Sequence, residues 1–259
     1  LDSDILNVLR SVKDGKTSVE DAAARLRLLA VKEIEGACLD LCREARKGVP
    51  EIVFAESKST EDLLRISRAF YEENEKVIIT RVTDAQASAL QKEFGGKSEF
   101  HHNERGRVIV IKKQAAKAPP RGKVAILTAG TSDIRVAEEA RMVLEEMGCT
   151  TLSFHDVGIA GIQRLFPALE KTVEKDVDAI IVIAGMEGAL PSVVSSLVSV
   201  PVIGVPSSSG YGAGGRGEGA LISMLQSCST GLVVVNIDNG VGAAVAAALI
   251  AKRATARAP

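Results

Sequence analysis

The chain is poor in charge imbalance, in aromatic rings and in long apolar runs. Lysine and arginine number 32 against 33 aspartate and glutamate, a net charge of −1, which removes the electrostatic case for a nucleic-acid or polyanion partner. Aromatic residues are 3% of the chain and tryptophan is absent, so no base-stacking platform is expected. The aliphatic runs are broken by glycine, proline or charge well short of a membrane span, so no membrane partner is expected either. No signal peptide opens the chain. It begins at Leu1, so residues upstream are expected to have been removed or left out; a lost transit peptide would place an otherwise cytoplasmic protein in a plastid or another organelle. The four cysteines, Cys38, Cys42, Cys149 and Cys228, fit no disulfide framework or zinc ribbon. A soluble protein of a reducing intracellular compartment is expected, with Cys38 and Cys42 as ordinary buried thiols on one helix face.

What is present is ordinary globular material, 46% apolar and 25% charged, enough for one large domain or two smaller ones. Ser3 and Ser18 read as caps of two opening helices. From residue 51 the periods alternate. "EIVFA", "KVIITRV" and "RVIVIKK" are strand-like, whereas "STEDLLRISRAFYEEN" and "TDAQASALQKEFG" are amphipathic helices. His101 and His102 fall in a charged loop. "QAAKAPPRGK" reads as a linker, which sets the expected domains at 1–118, helical and then small α/β, and 119–259.

The second domain repeats a strand-then-helix pattern, with strands expected at 123–127, 151–154, 179–183, 202–205 and 232–236. Aliphatic strands joined by helices predict an α/β fold, a doubly wound parallel sheet covered on both faces. Ligands of such sheets sit beyond the carboxyl ends of the strands, so the loops there are the ones to read. Gly130, Thr131, Ser132 and Asp133 lead from the first strand into a helix. They form either a phosphate seat, made of free N–H groups and hydroxyls, or simply a helix cap. Gly185, Met186 and Glu187 follow the third strand. A lone carboxylate among small residues is either a partly desolvated acid/base with a raised pKa or a glutamate favoured near a helix start.

The fourth strand opens into "PSSSGYGAGGRGEG", which holds Ser207, Gly210, Gly212 and Arg216. Its match to a dinucleotide-binding glycine pattern is weak. It reads better as a mobile glycine-rich lid, with Arg216 available to a phosphate or carboxylate. Cys228 ends the next helix, where the dipole does not favour a thiolate. Asp238 and Asn239 form a polar turn after the last strand. The final helix, "VGAAVAAALIAKRA", and "LPSVVSSLVS" are too apolar for solvated helices, so both are expected to meet other subunits. No nucleophile elbow, Walker loop or zinc-protease motif is present.

Taken together, "VAILTAGTSD", "AIIVIAGMEGALPSVVSSLVSVPVIGVP" and "MLQSCSTGLVVVNIDNGVGAAVAAALI" resemble the aminoimidazole ribonucleotide carboxylases over roughly residues 122–253. That resemblance implies a flavodoxin-like sheet and a homo-octamer in which neighbouring subunits help complete each site. It also implies a nucleotide phosphate and ribose held at Thr131, Ser132 and Asp133. Those carboxylases carry a histidine just before a Leu-Pro pair, where this chain has Ala189. "GMEGALPS", the Ser-Cys pair before the last strand and "NIDNGVGAA" are instead similar to the pyridinium-3,5-biscarboxylic acid mononucleotide synthases of nickel-pincer cofactor biosynthesis. "LDLCREARKGVPEIVFAESKS" resembles the segment in front of that family's catalytic domain, matching at Asp40, Arg43, Arg46, Gly48, Pro50 and Glu51. The lid departs from that pattern by carrying Arg216 and Glu218.

This second resemblance implies carboxylation of the pyridinium C5 of nicotinic acid adenine dinucleotide, with carbon dioxide or bicarbonate as co-substrate. Hydrolysis of the phosphoanhydride would release AMP. Cys228 would be the nucleophile and Glu187 the acid/base. Gly130, Gly185, Met186, Ser207, Gly210, Gly212, Arg216, Asp238 and Asn239 would contact the nucleotide, joined by Asp40, Arg43 and Arg46. Magnesium is the default ion for a phosphoanhydride, although the sequence offers no protein cage for it. Two alternatives stand beside this reading: a carboxylase of aminoimidazole ribonucleotide in purine (IMP) biosynthesis, and a nucleotide-binding protein of the same fold without activity.

Overall fold

The computed structural model describes residues 2–29, 31–40, 43–113 and 121–256. They fall into two compact units, Leu1–His102 with Ile109–Ala115, and Asn103–Val108 with Ala116–Pro259.

In the first unit two helices, α1 (Asp2–Lys13) and α2 (Val19–Leu29), precede a hairpin of β1 (Val31–Ile34) and β2 (Ala37–Asp40). Ser3 lies inside α1 instead of capping it, because the helix already includes Asp2. The hairpin was not expected from sequence. Its strands have four residues each and mix charged with apolar side chains, too little for a period to register. Gly36 closes the turn at φ +77°, where a side chain would be strained. Cys38 therefore stands exposed on β2, not buried on a helix, and Cys42 lies outside the described residues.

After the short helix α3 (Arg43–Lys47) come β3 (Ile52–Phe54), α4 (Thr60–Asn74), β4 (Lys76–Thr80), α5 (Asp84–Phe94), β5 (Glu99–Asn103) and β6 (Val108–Lys112). The sheet order is β3-β4-β6-β5. Ser59 caps α4 by accepting from the Asp62 amide at 3.1 Å. Thr83 and Gln86 form a reciprocal capping box on α5. Leu63, Ile79, Leu90, Ile109 and Ile111 fill the core beneath these helices. His101 and His102 stand on the edge strand β5, not in a loop. Pairing with β6 makes that segment a strand, which its own polar residues do not announce.

The second unit runs β7 (Lys123–Thr128), α6 (Ile134–Glu146), β8 (Thr150–Phe154), α7 (Leu165–Glu174), β9 (Ala179–Ala184), α8 (Leu190–Ser195), β10 (Val202–Pro206), α9 (Glu218–Leu225), β11 (Leu232–Val234) and α10 (Gly240–Thr255). The five strands are parallel, in the order β8-β7-β9-β10-β11, a flavodoxin-like doubly wound sheet. Strand β9 is buried along its whole length, and each such valine or isoleucine contributes about 1.5–3 kcal/mol on burial. Alternate residues serve opposite faces. Ala125, Leu127, Ile180, Val182 and Val202 pack with α7, α8 and α9, while α6 and α10 cover the other face.

Helix α10 buries Ala243, Ala244, Ala247, Ala248 and Ala251 inside the unit, and α8 ends at Ser195 with Leu190 and Val194 buried. The apolar faces expected to wait for another subunit are thus largely consumed internally. Small side chains permit this close packing: a Cβ on Gly240 would meet the Val136 carbonyl oxygen at 2.7 Å. Apolar side chains left exposed include Leu197 after α8, Leu249 on α10, Ile222 and Leu225 on α9 and Val233 on the edge strand β11. Among the described residues, no helix is long and apolar enough to cross a membrane.

Candidate active site

Strand β7 lies inside the sheet, with β8 on one side and β9 on the other. Its connections leave toward opposite faces, which opens a crevice beyond the strand ends at the point where the order reverses. A crevice of about 320 Å³ lies there. The loops after β7, β8 and β9 line it, together with Ser209 and Tyr211 from the long loop after β10. Of the residues expected from sequence, it brings together Gly130, Ser132, Asp133, Gly185, Met186 and Glu187.

The turn after β7 holds its acid in an unexpected way. The Asp133 carboxylate is buried, and it does not cap α6. One oxygen accepts from the Gly130 amide at 2.9 Å and the other from the Ser209 hydroxyl at 2.7 Å. Asp133 thereby fastens the turn to the loop after β10 and leaves the Thr131 and Ser132 side chains exposed. Open hydroxyls at the start of a helix are suited to an anion.

Opposite, Gly185 and Gly210 let two loops approach closely: a Cβ on Gly210 would meet the Met186 amide nitrogen at 2.6 Å, and one on Gly185 would strike the Ser209 hydroxyl. Met186 sits at φ +47°, a left-handed conformation rare for a methionine. Strain of this kind, held at a crevice, points to a constrained site. Glu187 follows, exposed, without a hydrogen bond or ion pair among the described residues. The desolvation expected for it is therefore not supplied by its own chain.

Two crevice residues, Arg164 and Tyr211, carried no sequence signal that singled them out. Arg164 precedes α7 and pairs with Asp156, and both line the crevice. Only tertiary folding brings this arginine, eight residues further along the chain, back to the end of β8. Tyr211 was visible only as one residue in a glycine-rich run.

Other expected residues do different work. Asp238, at φ +54°, accepts from the Ser208 amide at 3.0 Å, from the Ser208 hydroxyl at 2.5 Å and from Arg135 at 3.0 Å. Burial pushes its carboxyl up, but the bonds from Ser208 and Arg135 outweigh burial and hold it below the usual carboxylate range. Asn239 caps α10 through the Gly242 amide at 2.8 Å. Ser207 is buried, and its hydroxyl accepts from the Ser209 amide at 3.2 Å. Arg216 is exposed at φ +58°; like Thr131, Gly210 and Gly212 it does not line the crevice. In the first unit Asp40 pairs with Arg46, and Arg43 lies 3.1 Å from Glu51. These charges hold their own segment together.

Cys228 is the clearest displacement. It lies three residues beyond the end of α9, not at that end, and is exposed. The chain then enters β11 at the amino end of the sheet, where the Gly231 carbonyl accepts from Val202, the first residue of β10. The crevice lies past the other end of β10. Ser229, the residue after Cys228, donates its hydroxyl to the Ser192 carbonyl at 2.8 Å, two residues from Leu190 of the crevice wall, but Cys228 itself does not line the crevice. Cys149, by contrast, is buried, and burial pushes its thiol up to about 11, which keeps it protonated and inert at neutral pH.

Known proteins resemble each part of this arrangement. Residues 123–258 match the AIR carboxylase family, and residues 31–114 match the LarB/PurE-like N-terminal domain. The chain is 44% identical over 249 residues to Uncharacterized protein MJ0165 of Methanocaldococcus jannaschii, covering 95% of this chain and 96% of that one. It is 35% identical over 127 residues to an N5-carboxyaminoimidazole ribonucleotide mutase of the same organism, covering 48% of this chain and 75% of the mutase. A mutase of that name from Pyrococcus horikoshii is 34% identical over 129 residues, covering 48% and 69%. The chain belongs to the AIR carboxylase family, in the branch that carries a LarB/PurE-like domain in front, and its function is of the carboxylase type.

Proposed function

We propose that this protein carboxylates the pyridinium C5 of nicotinic acid adenine dinucleotide and hydrolyses its phosphoanhydride, releasing AMP and pyridinium-3,5-biscarboxylic acid mononucleotide. The observation that carries the reading is Glu187: an unpaired carboxylate in the switch-point crevice, in the loop where the resembling purine-pathway enzymes carry a histidine. An electron-poor pyridinium cannot attack carbon dioxide. A thiolate added at C6 turns the ring into a dihydropyridine whose enamine carbon is C5. C5 then bonds to carbon dioxide, Glu187 takes the C5 proton, and the ring electrons expel the thiolate as aromaticity returns. Water cleaves the phosphoanhydride. In this reading Ser132 and Arg164, which both line the crevice, hold phosphate oxygens. Magnesium at this step would take most of its ligands from the phosphates and water.

The thiolate in this scheme is Cys228, and its position adds a condition. Cys228 does not line the crevice of its own subunit, and in this reading it reaches the crevice of a different one. Exposed Ile222, Leu225 and Val233 lie on the elements that flank Cys228, and apolar side chains of this kind are suited to subunit contact. The proposed assembly is a closed homo-octamer in which a neighbouring copy delivers the thiol.

Mass spectrometry of products from purified protein with bicarbonate tests the reading. Nicotinic acid adenine dinucleotide should yield the biscarboxylated mononucleotide and AMP. Conversion of aminoimidazole ribonucleotide alone would move the protein to purine synthesis, and no turnover of either would leave a binding protein.

A further inference from the structure

The crevice has an electrostatic character that its phosphate turn does not explain. Three carboxylates line it, Asp133, Asp156 and Glu187, against one cation, Arg164. Asp156 is paired with Arg164, and Asp133 is spent on the Gly130 amide and the Ser209 hydroxyl. Glu187 is left as an uncompensated negative charge. Beside these groups stands an aromatic ring in a chain with two tyrosines and no tryptophan. Tyr71 packs edge-on against Phe94 in the first unit. Tyr211 does nothing of the sort: it lines the crevice, is 79% exposed, and has no hydrogen-bond partner among the described residues. Gly210 and Gly212 flank it, the latter at φ +81°, so the backbone is free to present the ring. Burying a ring on a core contributes stability; leaving it in water beside a crevice contributes none.

We propose that Tyr211 is a specificity residue that stacks a positively charged nitrogen heteroaromatic ring at the mouth of the crevice, with the Glu187 carboxylate supplying the complementary charge. The negative face of a tyrosine ring attracts a cation placed within about 6 Å of its centroid. A pyridinium nitrogen is such a cation, held in a flat ring that also stacks. An uncharged ring of the same shape keeps the stacking and loses the charge term. The pair would therefore select the oxidised, cationic pyridine nucleotide over a neutral ring. The inference rests on the proposed pyridinium chemistry and names the side chain that recognises the reacting ring.

The test uses the full chain and two probes: nicotinic acid adenine dinucleotide, and its reduced form, whose dihydropyridine ring is neutral. Calorimetry should find the oxidised form bound more tightly by the wild type, by about three- to thirtyfold, the usual range for a cation–aromatic contact. Tyr211→Phe should keep that preference, and Tyr211→Ala should lose most of it while the reduced form binds nearly as before. Circular dichroism checks that both variants fold, which the exposure of Tyr211 leads us to expect. An unchanged preference in Tyr211→Ala, with carboxylation of the pyridinium intact, would overturn the role of Tyr211 alone. Failure of the wild type to bind or carboxylate the oxidised dinucleotide would overturn both this inference and the reading beneath it.

Discussion

The two ends of the second unit's sheet differ in kind. At the carboxyl end, short loops converge. Asp133 crosses to Ser209, Met186 is held left-handed, and glycines let backbones touch, so the crevice is built by mutual constraint. At the amino end, the segment from Gln226 to Gly231 returns from α9 to an edge strand, with Cys228 exposed among neighbours that also lack cover. One end is a built crevice; the other carries an exposed thiol. Under the proposed reaction, a neighbouring copy would have to deliver the thiol.

The largest expected effect breaks the contrast directly. Cys228→Ala should abolish carboxylation and leave the fold intact, since the side chain is exposed, while Cys149→Ala should stay active. Octamers formed from equal amounts of Cys228→Ala and Glu187→Gln subunits should regain about a quarter of wild-type activity, because random neighbours in a closed assembly rebuild one site in four. No recovery in the mixed octamers would return the thiol to its own subunit's crevice. Activity in pure Cys228→Ala would remove it from the reaction.

Next in size, Glu187→Gln should bind the dinucleotide nearly as the wild type does and turn over about 100-fold more slowly, the lower end of a general acid/base contribution. Because Glu187 is exposed and unpartnered, its loss should leave the urea midpoint unchanged. A lowered midpoint with near-normal turnover would make it a helix-start residue instead.

The smallest effect sharpens the comparison within the carboxyl end. Asp238 resembles Asp133 in sequence setting, an acid in a polar turn before a helix, yet it lies outside the crevice and ties Ser208 to Arg135. Asp238→Asn should cost about 2 kcal/mol, the scale of a hydrogen bond to a charged group. The folded-state carboxyl is held below its unfolded value, so the stabilisation is complete above the ordinary carboxyl range. It should fade as pH falls below about 4 through the lower folded value. Urea titrations at pH 7 and pH 3 should show the difference between wild type and variant narrowing. An equal difference at both would mean that the charge contributes nothing.

Much of the fold was readable from sequence because its signals are local. The aliphatic strands from Lys123 onward and the capped helices after Ser59 and Thr83 each carry their period and their punctuation in a single window. The hairpin at Val31–Asp40 and strand β5 were missed because they exist by pairing, and their residues have no strong preference of their own. Of the site, the turn after β7 and Glu187 could be found by rule, since both follow a strand in a doubly wound sheet.

The sequence by itself determined the parallel sheet, its helices and the loops that must hold the chemistry, because hydrophobic period and strand-end position are properties of consecutive residues. Tertiary structure alone decided which polar residues face the crevice. Asp133 and Asp238 are alike in sequence, but one is fastened across the site and the other behind it. It also decided that Arg164 and Tyr211 line the crevice and that Cys228 does not. The physical reason is that a side chain's partners are set by the order in which strands lie side by side, and that order is fixed by packing across the whole sheet, which no single stretch of chain contains.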